Sequence, residues 1–275
     1  MELERIYGNE KVKEHLLDAL KNSRIPHAQI FCGPEGSGTL PMALAYIKTI
    51  IQHIKHGKWQ DQPNSSGNLK VEKLIHPDIH FSFPVNKTDN IKGLKLVSDD
   101  FIHLWREAVI EMPYMNLNAW YNHIGLLKTQ GSISVNESSA IMKKFSLKPF
   151  ESEYKFMVIW MAELINSAAA NKLLKLLEEP PEKTIFILIA QSTEQILPTI
   201  LSRCQLVQFS PIDSVSIKNA INSSYNLSEI QLNTITRLSE GNLNKAFELI
   251  RNDKQIEFNH ENFSQWMRFC FKKDL

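Results

Sequence analysis

The sequence predicts an α/β fold: a mostly parallel sheet covered by helices on both faces, followed by a small helical unit. Three observations carry that expectation. The runs HAQIFC, KFMVIWM and TIFILIA are short and almost wholly apolar, as strands buried on both faces are. Helical patterns separate them, so successive strands need crossover connections and run parallel. After Pro211 the strand signal stops and only helical spacing remains.

Taken in order, Val12, Leu16, Leu17 and Leu20 recur at helical spacing over residues 9–22, with Asn9 available as an N-cap. Pro26 ends the connection, HAQIFC supplies a strand, and GPEGSGTL is a glycine-rich turn. The next helix tolerates Pro41 in its first turn and carries Met42, Ala43, Leu44, Ala45, Ile47, Ile50 and Ile51 on a broad apolar face. Between Gln52 and His76 the pattern fades, and PNSSGN is loop chemistry, so an exposed excursion is expected. Beyond His76-Pro77-Asp78, the residues Ile79, Phe81, Phe83 and Val85 alternate with His80, Ser82 and Pro84, which predicts a strand with one buried face. A helix is expected over about residues 98–111, whereas PYMNLNAWYNHIG has no clear period.

The second half is more regular. Val135, Ile141, Met142 and Phe145 are the predicted apolar contacts of one helix, and KFMVIWM then suits a central strand. A helix over residues 166–179 carries Leu173, Leu174, Leu176 and Leu177 and stops at Pro180-Pro181. TIFILIA is a further buried strand, QILPTILSRC a short helix, and QLVQFS a last strand with Leu206, Val207 and Phe209 as its apolar residues.

Composition narrows the class. In 275 residues, 43% are hydrophobic and 22% charged, which fits a folded chain rather than a disordered one. Lys and Arg number 31 against 30 Asp and Glu, a formal charge of +1, so no bulk attraction to nucleic acid or lipid is written into the composition. Cys32, Cys204 and Cys270 are scattered without a CxxC pair, which predicts thiols in a reducing, cytoplasmic setting. The charged N-terminal stretch lacks the apolar core of a signal peptide, and no run reaches the about 18 apolar residues of a membrane span.

The turn Gly33-Pro34-Glu35-Gly36-Ser37-Gly38-Thr39-Leu40 has the glycine spacing of a phosphate-binding P-loop, GxxxxGK[ST]. Thr39 stands at the lysine position and Leu40 at the hydroxyl position, so the loop keeps the shape of a phosphate cradle without its ammonium or its magnesium-binding oxygen. A working site also needs an acidic residue at the end of a central strand. Here that strand ends Trp160-Met161-Ala162-Glu163.

The segment Asn171-Lys172-Leu173-Leu174-Lys175-Leu176-Leu177-Glu178-Glu179-Pro180-Pro181, with the later Leu197-Pro198-Thr199-Ile200-Leu201-Ser202-Arg203-Cys204, resembles the clamp-loader branch of the AAA+ superfamily. Together with RIYGNEKVKEHLLDALKNSRIPHAQIFCGPEGSG, these motifs are similar to the delta-prime subunits of bacterial DNA polymerase III over about residues 4–250. The resemblance implies an AAA+ P-loop-type core over 1–211, a helical lid over 212–251, and the start of a truncated helical collar over 252–275.

By position in the family's motifs, Trp160 and Met161 replace the magnesium-binding Asp and the catalytic Glu, and Asn244 in GNLNKAFEL falls where a second sensor arginine would be. With Thr39 in place of lysine, these losses imply a subunit that does not hydrolyse ATP, in contrast to the gamma/tau type. Gly33, Gly36, Gly38 and Thr39 then form a degenerate nucleotide loop. What survives is Ser202-Arg203-Cys204. An Arg at a short helix C-terminus is favoured by the helix dipole alone, but the resemblance implies that Arg203 is an arginine finger reaching a neighbour's ATP, where a permanently charged planar guanidinium stabilises charge on the γ-phosphate.

The resemblance further implies gamma/tau and delta subunits as partners, with the sliding clamp and primed DNA met through the complex. No cofactor is expected. Some relatives carry a four-cysteine zinc module after the P-loop helix; residues 52–76 contain no cysteine, and His53 with His56 are too few for a tetrahedral site, so no metal is expected. Trp105, Trp120 and Tyr121 could stack on bases, but without interleaved basic residues core or subunit packing is expected. Two alternatives stay open: an ATP-hydrolysing subunit of gamma/tau type with a divergent site, and a freestanding DNA-binding module.

Overall fold

A computed structural model describes residues 2–61, 68–126 and 129–251. Its order begins with α1 (Glu10–Lys21), β1 (Ala28–Cys32), α2 (Thr39–His53), the two-residue strands β2 (Ile54–Lys55) and β3 (Lys58–Trp59), α3 (Asn68–Glu72) and β4 (Ile79–Ser82). It continues with α4 (Ile102–Glu111), α5 (Leu117–Ile124), α6 (Val135–Phe145), β5 (Lys155–Trp160), α7 (Ser167–Glu178), β6 (Thr184–Ala190), α8 (Pro198–Leu201) and β7 (Gln205–Gln208). Two helices, α9 (Ser214–Ser224) and α10 (Glu229–Ser239), and a helical run at 243–251 complete the described chain.

The main sheet has the order β4-β5-β6-β1-β7, with every neighbouring pair parallel. β1, β5 and β6 are buried along their whole length, which explains why their sequences lack polar alternation. One face packs on α2 and α4 through Phe31, Tyr46, Trp105 and Phe156; the other packs on α6 and α7 through Ile30, Ile141, Leu173 and Leu188. Ile212, Ile217, Ile221, Ile235, Leu243 and Ala246 form a third, separate core among the final helices.

Several expectations change. Asn9 does not cap α1: it adopts a left-handed conformation, and its side chain bonds to Ser37 and Ser210 instead. The excursion after residue 52 is only partly exposed. Ile54, Val71 and Leu74 join the main core, and a β2-β3 hairpin stacks Trp59 on His53 at 4.4 Å. β4 ends at Ser82 and is covered on both sides, because α6 brings Glu137 and Phe145 over its second face, Phe145 meeting the His80 ring edge-on at 5.7 Å; Ser82 and Ser98 are buried there too. PYMNLNAWYNHIG contains α5, started by the Asn116 side chain and stopped by Gly125 in the left-handed region. Met142 and Leu206 are exposed rather than core residues, the latter because β7 is an edge strand. Trp105 and Trp120 are fully buried, while Tyr121 is half-buried and bonds through its hydroxyl to Gly131. The expected collar start at 252–275, including Cys270, lies outside the described residues.

Candidate functional site

The glycine-rich turn leaves the C-terminal end of β1, between β6 and β7 in the sheet, where parallel sheets place ligand crevices. Gly33 is pressed against Phe209, where a Cβ would lie 2.5 Å from the Phe209 Cβ, and Gly36 and Gly38 have φ of +71° and +88°. Only glycine meets both demands without strain. Thr39 then begins α2.

The space beneath the loop is a cavity of about 30 Å³ lined by Gly33, Gly36, Gly38, Thr39, Tyr114, Met115, Trp160 and Met161, among others. That is room for one or two waters, against about 300–1,000 Å³ for ordinary ligand pockets. The filling comes from the end of β5. Trp160 is 2% exposed and packs its ring, tilted, 5.2 Å from that of Trp105, while Met161 is 5% exposed and takes a left-handed conformation at φ +57°. Leu40 is buried in the same core. At these positions the site has apolar volume where magnesium chemistry needs oxygen ligands.

Glu163 follows on the turn after β5 and accepts from the Gln191 amide at 3.1 Å; burial pushes its carboxyl above the usual range. Asn244 lines a different cleft, of about 300 Å³ between core and final helices, together with Tyr7, Tyr114, Tyr225 and Phe247. Its amide donates to Glu248 at 2.7 Å. Among the described residues no cluster of His, Cys, Asp or Glu is arranged to hold a metal ion.

The Ser202-Arg203-Cys204 motif lies elsewhere. It links α8 to β7, and the register of Gln29 with Gln205 and Cys32 with Gln208 puts it at the opposite end of the strands from the glycine-rich turn. Four residue rises from Gln205 to Phe209 separate the two ends by about 13 Å, too far for Arg203 to serve its own cradle. The guanidinium is held by three acceptors: the Thr199 carbonyl at 2.8 Å, Ser202 Oγ at 3.1 Å and Glu178 Oε1 at 2.6 Å. Its side chain remains 34% exposed. Cys204 is half-buried, and burial alone pushes its thiol up to about 12, so it is a packing residue rather than a nucleophile.

Sequence reasoning missed Glu35, Asn116, Asn242 and the Arg203 partner Glu178. Glu35 Oε1 accepts from Asn116 at 3.0 Å and from Asn242 at 3.1 Å, so the loop touches both α5 and the final helical unit. Glu178 lay inside a quoted motif, and Asn242 sits between a glycine and a helical run, the place of an N-cap.

The profile of the family described as DNA polymerase III, delta subunit, matches residues 8–213. The chain is 27% identical over 250 residues to the DNA polymerase III subunit delta' of Bacillus subtilis (strain 168), covering 90% of this chain and 60% of that one. It is equally 27% identical over 262 residues to the subunit tau of the same organism, covering 93% of this chain and 38% of tau. With subunit delta' of Escherichia coli (strain K12), identity is 37% over 98 residues, 35% of this chain and 29% of that one. The chain thus spans about 60% of the first of these relatives and less of the others. Among solved structures, the Holliday junction branch migration motor RuvB of Thermotoga maritima superposes with a TM-score of 0.53 at 14% identity, covering 94% of this chain and 66% of that one. That likeness is one of fold.

Proposed function

The chain belongs to the DNA polymerase III, delta subunit family, and from that premise we propose that it is a non-hydrolysing, delta-prime-like clamp-loader subunit that donates Arg203 to the ATP site of a neighbour. Overall similarity does not separate delta-prime from tau, since both relatives are 27% identical. The chemistry of the cradle favours delta-prime: its space of about 30 Å³ is lined by the apolar side chains of Trp160 and Met161 where a strand-end carboxylate would be needed. This observation carries the reading. A magnesium-nucleotide needs a cation for the β- and γ-phosphates and an oxygen for the metal, and Thr39, Leu40, Trp160 and Met161 supply neither the charge nor the strand-end carboxylate.

Arg203 supports the second half. It stands at the far end of the sheet from its own cradle, is a third exposed, and is pre-oriented by Thr199 and Ser202. Only its pairing with Glu178 must be exchanged for a phosphate, and an ion pair this exposed costs little to break, about 0–1 kcal/mol. The partners in this reading are gamma/tau and delta subunits, with the sliding clamp and primed DNA reached through the assembled ring. Its setting is the cytoplasm.

The reading is tested by measuring ATP turnover with the purified chain and then with the complex reconstituted with gamma/tau and delta subunits. No turnover by the chain alone, with DNA-stimulated turnover by the complex that falls on Arg203→Ala, is expected. Turnover by the chain alone that is lost on altering Gly38 identifies a divergent ATPase instead. Salt-dependent binding of the lone chain to primed DNA identifies a DNA-binding module.

A further inference from the structure

The carboxylate of Glu35 stands on the outer turn of the loop that phosphate-binding proteins wrap around an anion. Two amides converge on one of its oxygens from different parts of the molecule: Asn116 from the N-cap of α5 and Asn242 from the start of the helical run at 243–251. Backbone contacts reinforce the junction, with the Leu243 amide donating to the Gly36 carbonyl at 3.3 Å. Asn242 lies so close over Gly36 that a Cβ there would be 1.9 Å from its Oδ1. On the other side of the loop, Asn9 Nδ2 donates to Ser37 O and Ser210 O, both at 3.1 Å.

We propose that Glu35 is an internal ligand: its carboxylate takes the bridging part that a bound phosphate would play and fastens the final helices to the core with no nucleotide present. The chemistry is matched. A carboxylate is an acceptor only, and the amide ends of Asn116 and Asn242 are donors, so each bond is charge-assisted. A second anion at the loop would meet the Glu35 charge, with no lysine at Thr39 to offset it. The latch therefore holds the angle between core and final helices fixed and makes it indifferent to ATP. This inference stands apart from the role of Arg203 and holds for the chain alone.

The test is amide hydrogen exchange at Leu243 in the full chain. Asn242→Asp keeps the N-cap acceptor, which now receives the Lys245 amide at 3.0 Å, but turns a donor into a carboxylate facing Glu35. It should speed exchange at Leu243 by about tenfold, as expected for losing a charge-assisted bond, with β5 amides unaffected. Glu35→Ala, at a partly exposed loop position, should do the same. The pair Glu35→Gln with Asn242→Asp exchanges donor for acceptor and should return the rate to within about threefold of the starting chain. Magnesium-ATP should leave the starting chain unchanged. Wild-type exchange in both single variants, no recovery in the double variant, or slowing by ATP would overturn the proposal.

Discussion

Asp78 shows how much one residue of an ordinary-looking motif can carry. It is 1% exposed, and its two oxygens accept the amides of Phe150, Glu151 and Ser152 at 2.6, 2.7 and 2.7 Å. Burial by itself would raise its carboxyl, but the three amide donors outweigh it and hold the group below the usual range. Asp78→Ala should cost about 3 kcal/mol in denaturant unfolding, because it strands those amides. Two residues on, burial, with the charges of Lys144 and Lys155, depresses His80 to about 4 against the opposing pull of Asp99 and Asp78. Between pH 6.5 and 4 the unfolded chain therefore takes up a proton that the folded chain refuses. The contribution of His80 is present above pH 6.5 and is lost as pH falls toward 4. Comparing pH 7 with pH 5, His80→Gln should show a fall in Tm smaller by about 4 °C, on the order of 2 kcal/mol of linkage. Alternation along Ile79 to Val85 marked the apolar face of β4, yet nothing in it told that Glu137 would cover the other. Burial pushes the Glu137 carboxyl up while the Ser98 amide bonds to it at 2.6 Å. Its position depends on how α6 packs, a long-range fact that local pattern does not encode.

At the scale of elements, the end of β5 has become core. Trp160 packs at 5.2 Å from Trp105, which stacks on Phe83 at 4.2 Å and meets Trp120 edge-on at 5.3 Å. Restoring an acidic residue by Trp160→Asp should not restore a metal site; it should cost more than about 4 kcal/mol, through the cavity and the buried charge together. Trp160→Phe should stay within about 2 kcal/mol in the same urea titration. The buried strands, and the helices ended by Pro180-Pro181 or opened before Thr39, were legible because hydrophobic period, proline and glycine are local signals. So were the identities of Thr39 in the turn and of Trp160 and Met161 at the end of β5. The joints were not legible. Asn9 reads as an N-cap but spends its side chain on Ser37 and Ser210, 28 and 201 residues away, and α5 was hidden because its 8 residues are too few for a helical period to stand out. Tertiary contacts decided the first.

At the scale of the molecule, the two ends of the sheet differ chemically: a narrow, apolar-floored glycine turn lies at the C-terminal edge, and a partly exposed guanidinium paired with Glu178 lies at the N-terminal edge. A net charge of +1 fits a chain whose decisive electrostatics are local. Among the described residues no helix is long and apolar enough to cross a membrane. Because Arg203 makes only partly exposed contacts, Arg203→Ala should shift Tm by no more than about 3 °C, so loss of function in that variant would not be loss of fold. The most direct measurement is therefore DNA-stimulated ATP hydrolysis by a complex of this chain with gamma/tau and delta subunits, comparing Arg203 with Arg203→Ala and Arg203→Lys at equal assembly. If Arg203 is donated in trans, alanine should lower the rate at the neighbouring site it serves by about 10³-fold or more and lysine should fail to restore it, since a point charge does not reproduce the planar fork; hydrolysis unchanged by alanine, in a complex that assembles normally, would overturn the finger role.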